Sequence, residues 1–346
     1  MIQFYDTKIK NVAVHFVGNK NNDENVRCSK LLLSIDEDID YVLTNYFVKP
    51  FLKMEEQNNF FHETDLSLHE VYNYISKIFD NPETLLEQSI NLAKHLYEQS
   101  THPKIKSGEF YTVFFNDCIL NGETVDAVGL FKSENKDTFL KVYPAGEGFQ
   151  IESEKGININ KLDKGCLVFN TEKENGYVVA VVDNTNKGIE AQYWTDDFLH
   201  IRQRKDEYYN TQNLLSLTKH FIKDELPQQF EISKAEQIDL LNRSVKFFKE
   251  NDSFDMQEFT NEVMEYEDVI EKFTQYKSEY AQVHDVEIAD SFAISENAVK
   301  KQSRIFKSVI KLDKNFHIYI HGDRNLIEQG QDGKGKFYKV YYQEEN

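Results

Sequence analysis

The sequence predicts an α+β fold: an N-terminal, mostly antiparallel sheet with helices, then a C-terminal helical region that ends in a β-hairpin. Between Glu109 and Asp183, short runs of β-forming residues alternate with turn residues, which is typical of a sheet meander and not of alternating strands and helices. After about Lys205, apolar residues recur at helical spacing. We therefore expect two domains, an α+β domain over 1–205 and a mainly helical domain over 206–346 that carries a basic helix and the terminal hairpin.

Helix-start signals predict the helices of the first domain. Capping-box patterns at Ser34 and Ser67 each place a hydroxyl three residues before a carboxylate, an arrangement that satisfies two backbone N–H groups at a helix start. Asn81 followed by Pro82 predicts an N-cap and a first-turn proline, which open a helix that reaches about Gln99. The β-rich runs are predicted as strands at 109–116, 124–132, 138–143, 166–171 and 177–183.

The second domain is predicted from the same kinds of signal. A capping box at Ser233 opens a helix whose apolar residues face one side. Two strand-like runs near the end, at 316–321 and 337–342, are expected to pair as the terminal hairpin. Further helices are expected near 255–264, 269–280 and 296–312.

Composition limits the class of protein. The chain has 346 residues, 40% of them apolar, so it can bury a sizeable core despite its net charge of -19. No apolar run approaches the roughly 18 residues that a membrane helix needs. Residues 1–6 lack the pattern of a secretory leader, so we expect a cytoplasmic protein. The three cysteines, Cys28, Cys118 and Cys166, are far apart and are expected to be buried thiols, not a disulfide or a zinc site.

Charge is segregated along the second domain. Residues 223–296 contain 19 Asp and Glu against 7 Lys and Arg, a local charge of -12. Over 297–324 the sign reverses to +5, because seven basic residues oppose only Asp313 and Asp323. Such a reversal is typical of a surface that binds a polyanion, and equally of a solvated helix face that matches acidic helices nearby.

The basic residues of the predicted last helix form one stripe. Lys300, Arg304, Lys307 and Lys311 fall at i, i+4, i+7 and i+11, so they share a helix face that could contact DNA phosphates. The candidate nucleic-acid-binding residues are this stripe and its neighbours: Lys300, Lys301, Arg304, Lys307, Lys311, Lys314 and Arg324.

A helix-turn-helix pattern overlaps the start of this stripe. In the segment 288–300, Ala289, Ala293 and Val299 lie near the small and apolar positions that let two helices cross closely. Gln302 occupies a place where an apolar residue is usual, and the first helix would be short.

Catalytic patterns are weak. The chain contains no nucleophile elbow, phosphate-binding loop or dinucleotide fingerprint, so we expect no catalytic residue, no metal, no cofactor and no enzymatic activity. One alternative remains, a divalent-metal nuclease that uses Asp196, Asp197 and His200. These acids are also explained as residues that flank a short helix beside an inward-facing Trp194.

Several blocks of sequence resemble one known family. The blocks are 95–106 (HLYEQSTHPKIK), 131–140 (FKSENKDTFL), 156–165 (GININKLDKG), 183–186 with 191–199 (DNTN, AQYWTDDFL), and 308–322 (SVIKLDKNFHIYIHG). In these blocks the chain resembles the NdpA/YejK-type nucleoid-associated proteins, in particular their Bacteroidetes-like branch. The resemblance extends over nearly the whole chain.

The resemblance implies a cytoplasmic protein of the nucleoid that binds double-stranded DNA without a known catalytic residue. Proteobacterial relatives are also associated with type II topoisomerases, which leaves a second hypothesis: a protein-interaction module that uses its acidic surface. Architectural proteins often dimerise, so a homodimer through the terminal hairpin or the helical region is a further expectation.

Overall fold

The computed structural model describes residues 2–5, 7–52, 54, 56–185, 193–284, 286–303, 309–312, 316–319 and 326–344. The chain divides into two compact units, Met1–Arg204 and Lys205–Asn346. A large antiparallel sheet with helices occupies the first unit, and the second unit is mainly helical with hairpins at its end. The predicted α+β fold class is therefore confirmed.

Among the described residues, nine strands of the first unit form one antiparallel sheet. The strands are β1 (Ile2–Gln3), β2 (Lys8–Val17), β3 (Arg27–Cys28), β4 (Asn58–Phe60), β5 (Gly108–Leu120), β6 (Glu123–Ser133), β9 (Lys164–Phe169), β10 (Val178–Asp183) and β11 (Ile201–Gln203). Their order in the sheet is β11-β4-β10-β9-β6-β5-β2-β3, with β1 also paired to β5. Two further strands, β7 (Asp137–Ala145) and β8 (Gly148–Gly156), form a separate hairpin.

Turn chemistry fixes the longest pairing in the sheet. Leu120 pairs with Glu123, so Asn121 and Gly122 alone connect β5 to β6. Both have positive φ, 53° and 88°, which is the conformation of a two-residue hairpin turn and is best tolerated by Asn and Gly. The predicted strand runs of this region are thus joined as a meander.

Among the described residues, the helices that cover the sheet are α1 (Glu37–Val48), α2 (Glu70–Asp80) and α3 (Leu85–Gln99). Two predicted helix starts were wrong by two residues, because Asp36 caps α1 and His69 caps α2 through side chains that accept backbone N–H groups. Asn81 accepts from the N–H of Glu83, so the predicted cap is confirmed, although a 3-10 turn precedes α3.

Both faces of the central strands are buried. On one face, Phe110 and Phe114 of β5 join a core that includes Ile75 of α2 and Leu92 of α3. On the other face, Val113 and Phe115 join a second core that contains α1 residues. Phe47 of α1 stacks on Phe131 of β6 with ring centroids 4.1 Å apart. The sheet is therefore the middle layer of this unit, which explains why β6 and β9 read as nearly continuous apolar runs.

The second unit is built on helices α4 (Glu207–His220), α5 (Lys234–Glu250), α6 (Met256–Phe259), α7 (Glu267–His284) and α8 (Glu296–Ser303). The predicted capping box at Ser233 is present, with Glu236 as its partner. The apolar faces of these helices enclose a core in which Phe247, Phe254 and Phe259 are buried. Among the described helices, none combines the length and hydropathy that crossing a bilayer requires.

Short hairpins follow in the described part of this unit. They are β12 (Ser253–Asp255) with β13 (Ser291–Ala293), β14 (Val309–Leu312) with β15 (Phe316–Tyr319), and β16 (Ile327–Asp332) with β17 (Gly335–Val340). A terminal hairpin is present, but the predicted pairing of 316–321 with 337–342 was wrong. Each run instead pairs with its sequence neighbour, because a short turn closes a hairpin at less entropic cost than a long loop.

A buried histidine makes the first unit sensitive to acid. His15 is 3% exposed, its Nδ1 accepts the N–H of Ser29 at 3.0 Å, and its Nε2 lies 2.8 Å from the Ser89 hydroxyl, which itself donates to the Leu86 carbonyl. The imidazole is thus held neutral, and burial lowers its pKa from 6.5 to about 4. Between these two pH values the unfolded chain binds the additional proton.

We predict that His15 removes up to about 3 kcal/mol of unfolding free energy from the first unit as pH falls from about 6.5 to about 4. Denaturant unfolding followed by the fluorescence of Trp194, the one tryptophan of the chain, measures this. His15→Gln should have a flatter pH dependence over that window. Equal pH dependence in the two proteins would contradict the assignment.

Candidate functional site

The basic residues of 297–324 do not form one helical stripe. Helix α8 is described as far as Ser303, and Lys311 lies on strand β14 with its backbone opposite His317. The predicted helix over 296–312 was therefore wrong in its last part. Val309 and Ile310 are β-branched residues that favour a pleated strand, and the run Phe316–Tyr319 supplies the pairing partner.

Two of the seven candidate residues have described side chains. Lys300 is 71% exposed and lies 3.4 Å from the Glu296 carboxylate, an exposed pair of the i,i+4 type. Lys301 donates to the Tyr208 hydroxyl at 2.8 Å and lies 5.4 Å above the Tyr208 ring, so it is held against α4. Of the others, Lys311 has a described backbone only, and Arg304, Lys307, Lys314 and Arg324 lie outside the described residues.

The helix-turn-helix interpretation was wrong. Its first helix would cover the residues just before α8, but Ser291–Ala293 is strand β13, which pairs with Ser253–Asp255. Phe292 stacks on Phe254 with ring centroids 4.9 Å apart, so the apolar residue of this segment anchors a strand in the core.

The proposed metal cluster near Trp194 finds no support. Asp196 and Asp197 are exposed on a π-helical turn, Tyr193–Phe198, while Trp194 is fully buried. The Nδ1 of His200 lies 3.0 Å from the backbone carbonyl of Asp196, not from its carboxylate. Within the described part of the chain, no group of three or more His, Cys, Asp or Glu residues could hold a metal ion.

A cleft in the first unit was not anticipated from the sequence. It has a volume of about 980 Å³ and lies at the edge of the sheet where β6 and β10 end and β5 and β9 begin. Five exposed lysines line it: Lys49, Lys104, Lys106, Lys136 and Lys161. Four carboxylates also line it: Glu134, Asp137, Asp163 and Asp183.

A buried network of charges lies behind the cleft. The ammonium groups of Lys132 and Lys164 are fully buried and flank the Tyr193 ring at 5.4 and 5.1 Å from its centroid. Lys132 pairs with Glu134 at 3.1 Å, and Lys164 pairs with Asp183 at 2.6 Å. The Tyr193 hydroxyl donates to Glu134 at 2.8 Å. The Thr185 hydroxyl lies 3.2 Å from Glu134 and 3.1 Å from Asp183, so it links the two ion pairs.

Burial shifts the pKa of two members of this network, Tyr193 and Lys132. Burial raises the pKa of Tyr193 well above its ordinary value, and the neighbouring Glu134 carboxylate raises it further. Burial also lowers the pKa of Lys132, against the opposing effect of Glu134. A buried ion pair is a weak source of stability, because desolvation offsets much of the attraction between its charges. The network therefore fixes the positions of Glu134 and Asp183 at the cleft with little gain in stability.

Four of the sequence blocks that carry the family resemblance meet at this cleft. Lys104 and Lys106 come from the block 95–106, the linker 134–137 from 131–140, and residues 158–163 from 156–165. Asp183, Asn184 and Thr185 come from the fourth block. This clustering of distant blocks was the signal that could have pointed to the cleft.

Comparison with known proteins identifies the family of the chain. A search of curated proteins found no significant similarity. A family model described as nucleoid-associated protein YejK matches residues 13–342. That span includes all the blocks on which the resemblance rests, and the chain belongs to this family.

Proposed function

We propose that this protein is a non-enzymatic protein of the cytoplasmic nucleoid that binds double-stranded DNA largely without sequence preference. The observation that carries the proposal is the reversal of charge within the second unit, from -12 over 223–296 to +5 over 297–324. Family membership supports the association with the nucleoid. Local positive charge on an acidic protein attracts a polyanion to one surface and repels it from the rest.

The proposed contact surface is the basic segment, residues 297–324. Lys300 is well exposed, and its pair with Glu296 is of the exposed kind that contributes little, so a phosphate can replace the carboxylate. Lys301 is held by Tyr208 and is assigned a flanking position. Contacts to phosphates position a protein without reading bases, which accounts for weak sequence preference. The remaining contacts are assigned to Arg304, Lys307, Lys311, Lys314 and Arg324.

A second candidate function is binding to a basic protein surface, with a type II topoisomerase as the partner that the resemblance implies. A specific observation favours it: the described residues around the start of α7 form an exposed acidic patch. Its members are Glu262, Glu265, Glu267, Asp268 and Glu271. Tyr266, in the middle of this patch, is 68% exposed and offers an apolar contact. Complementary charge mainly accelerates association and selects the partner.

We predict that the variant Lys300→Glu/Arg304→Glu/Lys307→Glu/Lys311→Glu binds a short duplex at least about 100-fold more weakly than wild type near 0.1 M salt, because four phosphate contacts become repulsive. Fluorescence anisotropy of labelled duplex measures the affinity, and circular dichroism checks that the variant is folded.

The matched control changes the net charge equally at four exposed lysines outside the segment: Lys8→Glu/Lys77→Glu/Lys246→Glu/Lys249→Glu. Its affinity should stay within a few-fold of wild type. Equal losses in the two variants would show that overall charge, and not the basic segment, governs binding.

For the acidic patch, we predict that Glu262→Gln/Glu267→Gln/Asp268→Gln/Glu271→Gln leaves duplex binding intact and lowers the association rate with a basic protein partner. Surface plasmon resonance with purified type II topoisomerase as the immobilised partner measures this rate. Unchanged association would remove this second function.

A further inference from the structure

The lysine-lined cleft of the first unit is positively charged toward a ligand, although its lining contains carboxylates. Each of those carboxylates already accepts from donors of the protein. Asp163 accepts from the backbone N–H groups of Glu134 and Asn135 at 2.6 and 2.8 Å, and from the Asn135 amide at 2.7 Å. Asp137 accepts from the amide of Asn158 at 2.7 Å.

The other two carboxylates belong to the buried network. Glu134 is paired with Lys132 and accepts from Tyr193 and Thr185, while Asp183 is paired with Lys164. Their negative charge is therefore balanced from behind by two buried ammonium groups. The lining then sets five exposed lysines against the remaining charges of Asp137 and Asp163, so a ligand in the cleft meets a net positive surface.

The lysines at the rim have replaceable partners. Lys106 donates to the neutral side-chain carbonyl of Asn135 at 2.6 Å, and Lys136 pairs with Glu109 at the surface. Both can turn toward an anion at small cost, because exposed pairs are weak. The side-chain amides of Asn135, Asn158, Asn160 and Asn184 line the same space.

We propose that this cleft binds a phosphate-bearing ligand of nucleotide size. Lysines and amides around a polar space recognise the charge and the oxygens of phosphate groups. The volume of about 980 Å³ lies at the upper end of ordinary ligand pockets. The ligand is a free nucleotide or a nucleotide at the end of a strand, and both present the same phosphate chemistry. The site is distinct from the basic segment, which belongs to the second unit.

Isothermal titration calorimetry of the full chain with inorganic pyrophosphate, ATP and a short single-stranded DNA tests this proposal. The variant Lys104→Glu/Lys161→Glu changes the lining, and Lys8→Glu/Lys77→Glu makes the same charge change on the same unit away from it. Wild type and the control should bind at least one probe, and the lining variant at least about tenfold more weakly.

The outcomes separate the two sources of the ligand. Binding of ATP or pyrophosphate assigns a free nucleotide, and binding of the strand alone assigns a strand end. No binding of any probe, or equal affinity in the lining variant and the control, overturns the proposal. Duplex binding by the variant of the basic segment is measured in a separate experiment. Its result does not depend on whether the cleft binds any of these probes.

A second inference concerns the hairpin formed by β7 and β8. This hairpin, residues 137–156, is called the arm. Residues directly opposite each other in an antiparallel hairpin share a face. Leu140, Val142 and Pro144 on β7 lie opposite Ser153, Ile151 and Phe149 on β8, so one face of the arm is apolar. Exposed fractions on this face are 68% for Leu140, 58% for Val142, 65% for Ile151 and 75% for Phe149.

The opposite face of the arm, apart from Phe139 near the base, is polar and internally paired. Lys141 lies 3.7 Å from Glu154, and the Tyr143 hydroxyl donates to Glu152. The arm contains four carboxylates against two lysines, so it repels DNA and anionic membranes. A contiguous exposed apolar face of this kind marks an interaction surface.

We infer that the apolar face of the arm packs against the same face of a second copy of this chain. Apart from Lys155 near its base, this face carries no charge. Such an apolar face is self-complementary across a two-fold axis, where the same patch meets on both partners. Two arms in face-to-face contact bury on the order of 1,000 Å², close to the lower limit for a specific interface. This places the dimer contact in the first unit and not in the terminal hairpin or the helical region.

Sedimentation equilibrium of the full chain tests this inference. Wild type should form a dimer, and Val142→Lys/Ile151→Lys should be monomeric, because four lysines would meet across the two-fold axis. The control Tyr143→Lys/Gln150→Lys alters the neighbouring cross-strand pair on the polar face and should remain dimeric. A monomeric wild type, or a dimer that survives Val142→Lys/Ile151→Lys, overturns the inference.

Discussion

Burial of the central sheet on both faces is the constraint on which the first unit depends. Successive residues of β5, such as Phe114 and Phe115, belong to different cores, so a shift of register by one residue would exchange the two. The same burial extends to the strand ends, where Lys132 and Lys164 have no access to water. Their charges must then be balanced inside the protein, which is why Glu134 and Asp183 lie where they do and why the cleft has a charged base.

Local signals in the sequence predicted most elements of the fold. The Asn81 cap, the Ser233 capping box and the β-rich runs from Glu109 to Asp183 correspond to described elements. Prediction failed where a segment had two compatible structures. The residues around Ile310 have helical spacing and also β-branched side chains, and strand pairing with Phe316–Tyr319 decided the outcome. The N-caps of α1 and α2 are Asp36 and His69, two residues after the predicted positions. The prediction missed them because several neighbouring side chains can accept the same N–H groups.

The two candidate sites differ in how visible they are in a sequence. The basic segment is contiguous, so counting charges over 297–324 is sufficient to find it. The cleft is assembled from residues between Tyr46 and Thr185, and no local pattern joins them. Only the antiparallel register, with Lys132 opposite Lys164 and Lys164 opposite Asp183, brings its buried charges together. Long-range pairing of this kind depends on the tertiary fold and leaves no periodicity in the sequence.

DNA binding by a protein with a net charge of -19 is the central claim, and salt dependence tests it most directly. The measurement is the affinity of wild type for a short duplex over a series of salt concentrations. Four to six phosphate contacts predict that log K falls with log salt at a slope of about -4 to -5. A slope near zero would contradict the account, because the bound surface would then not be the positively charged one.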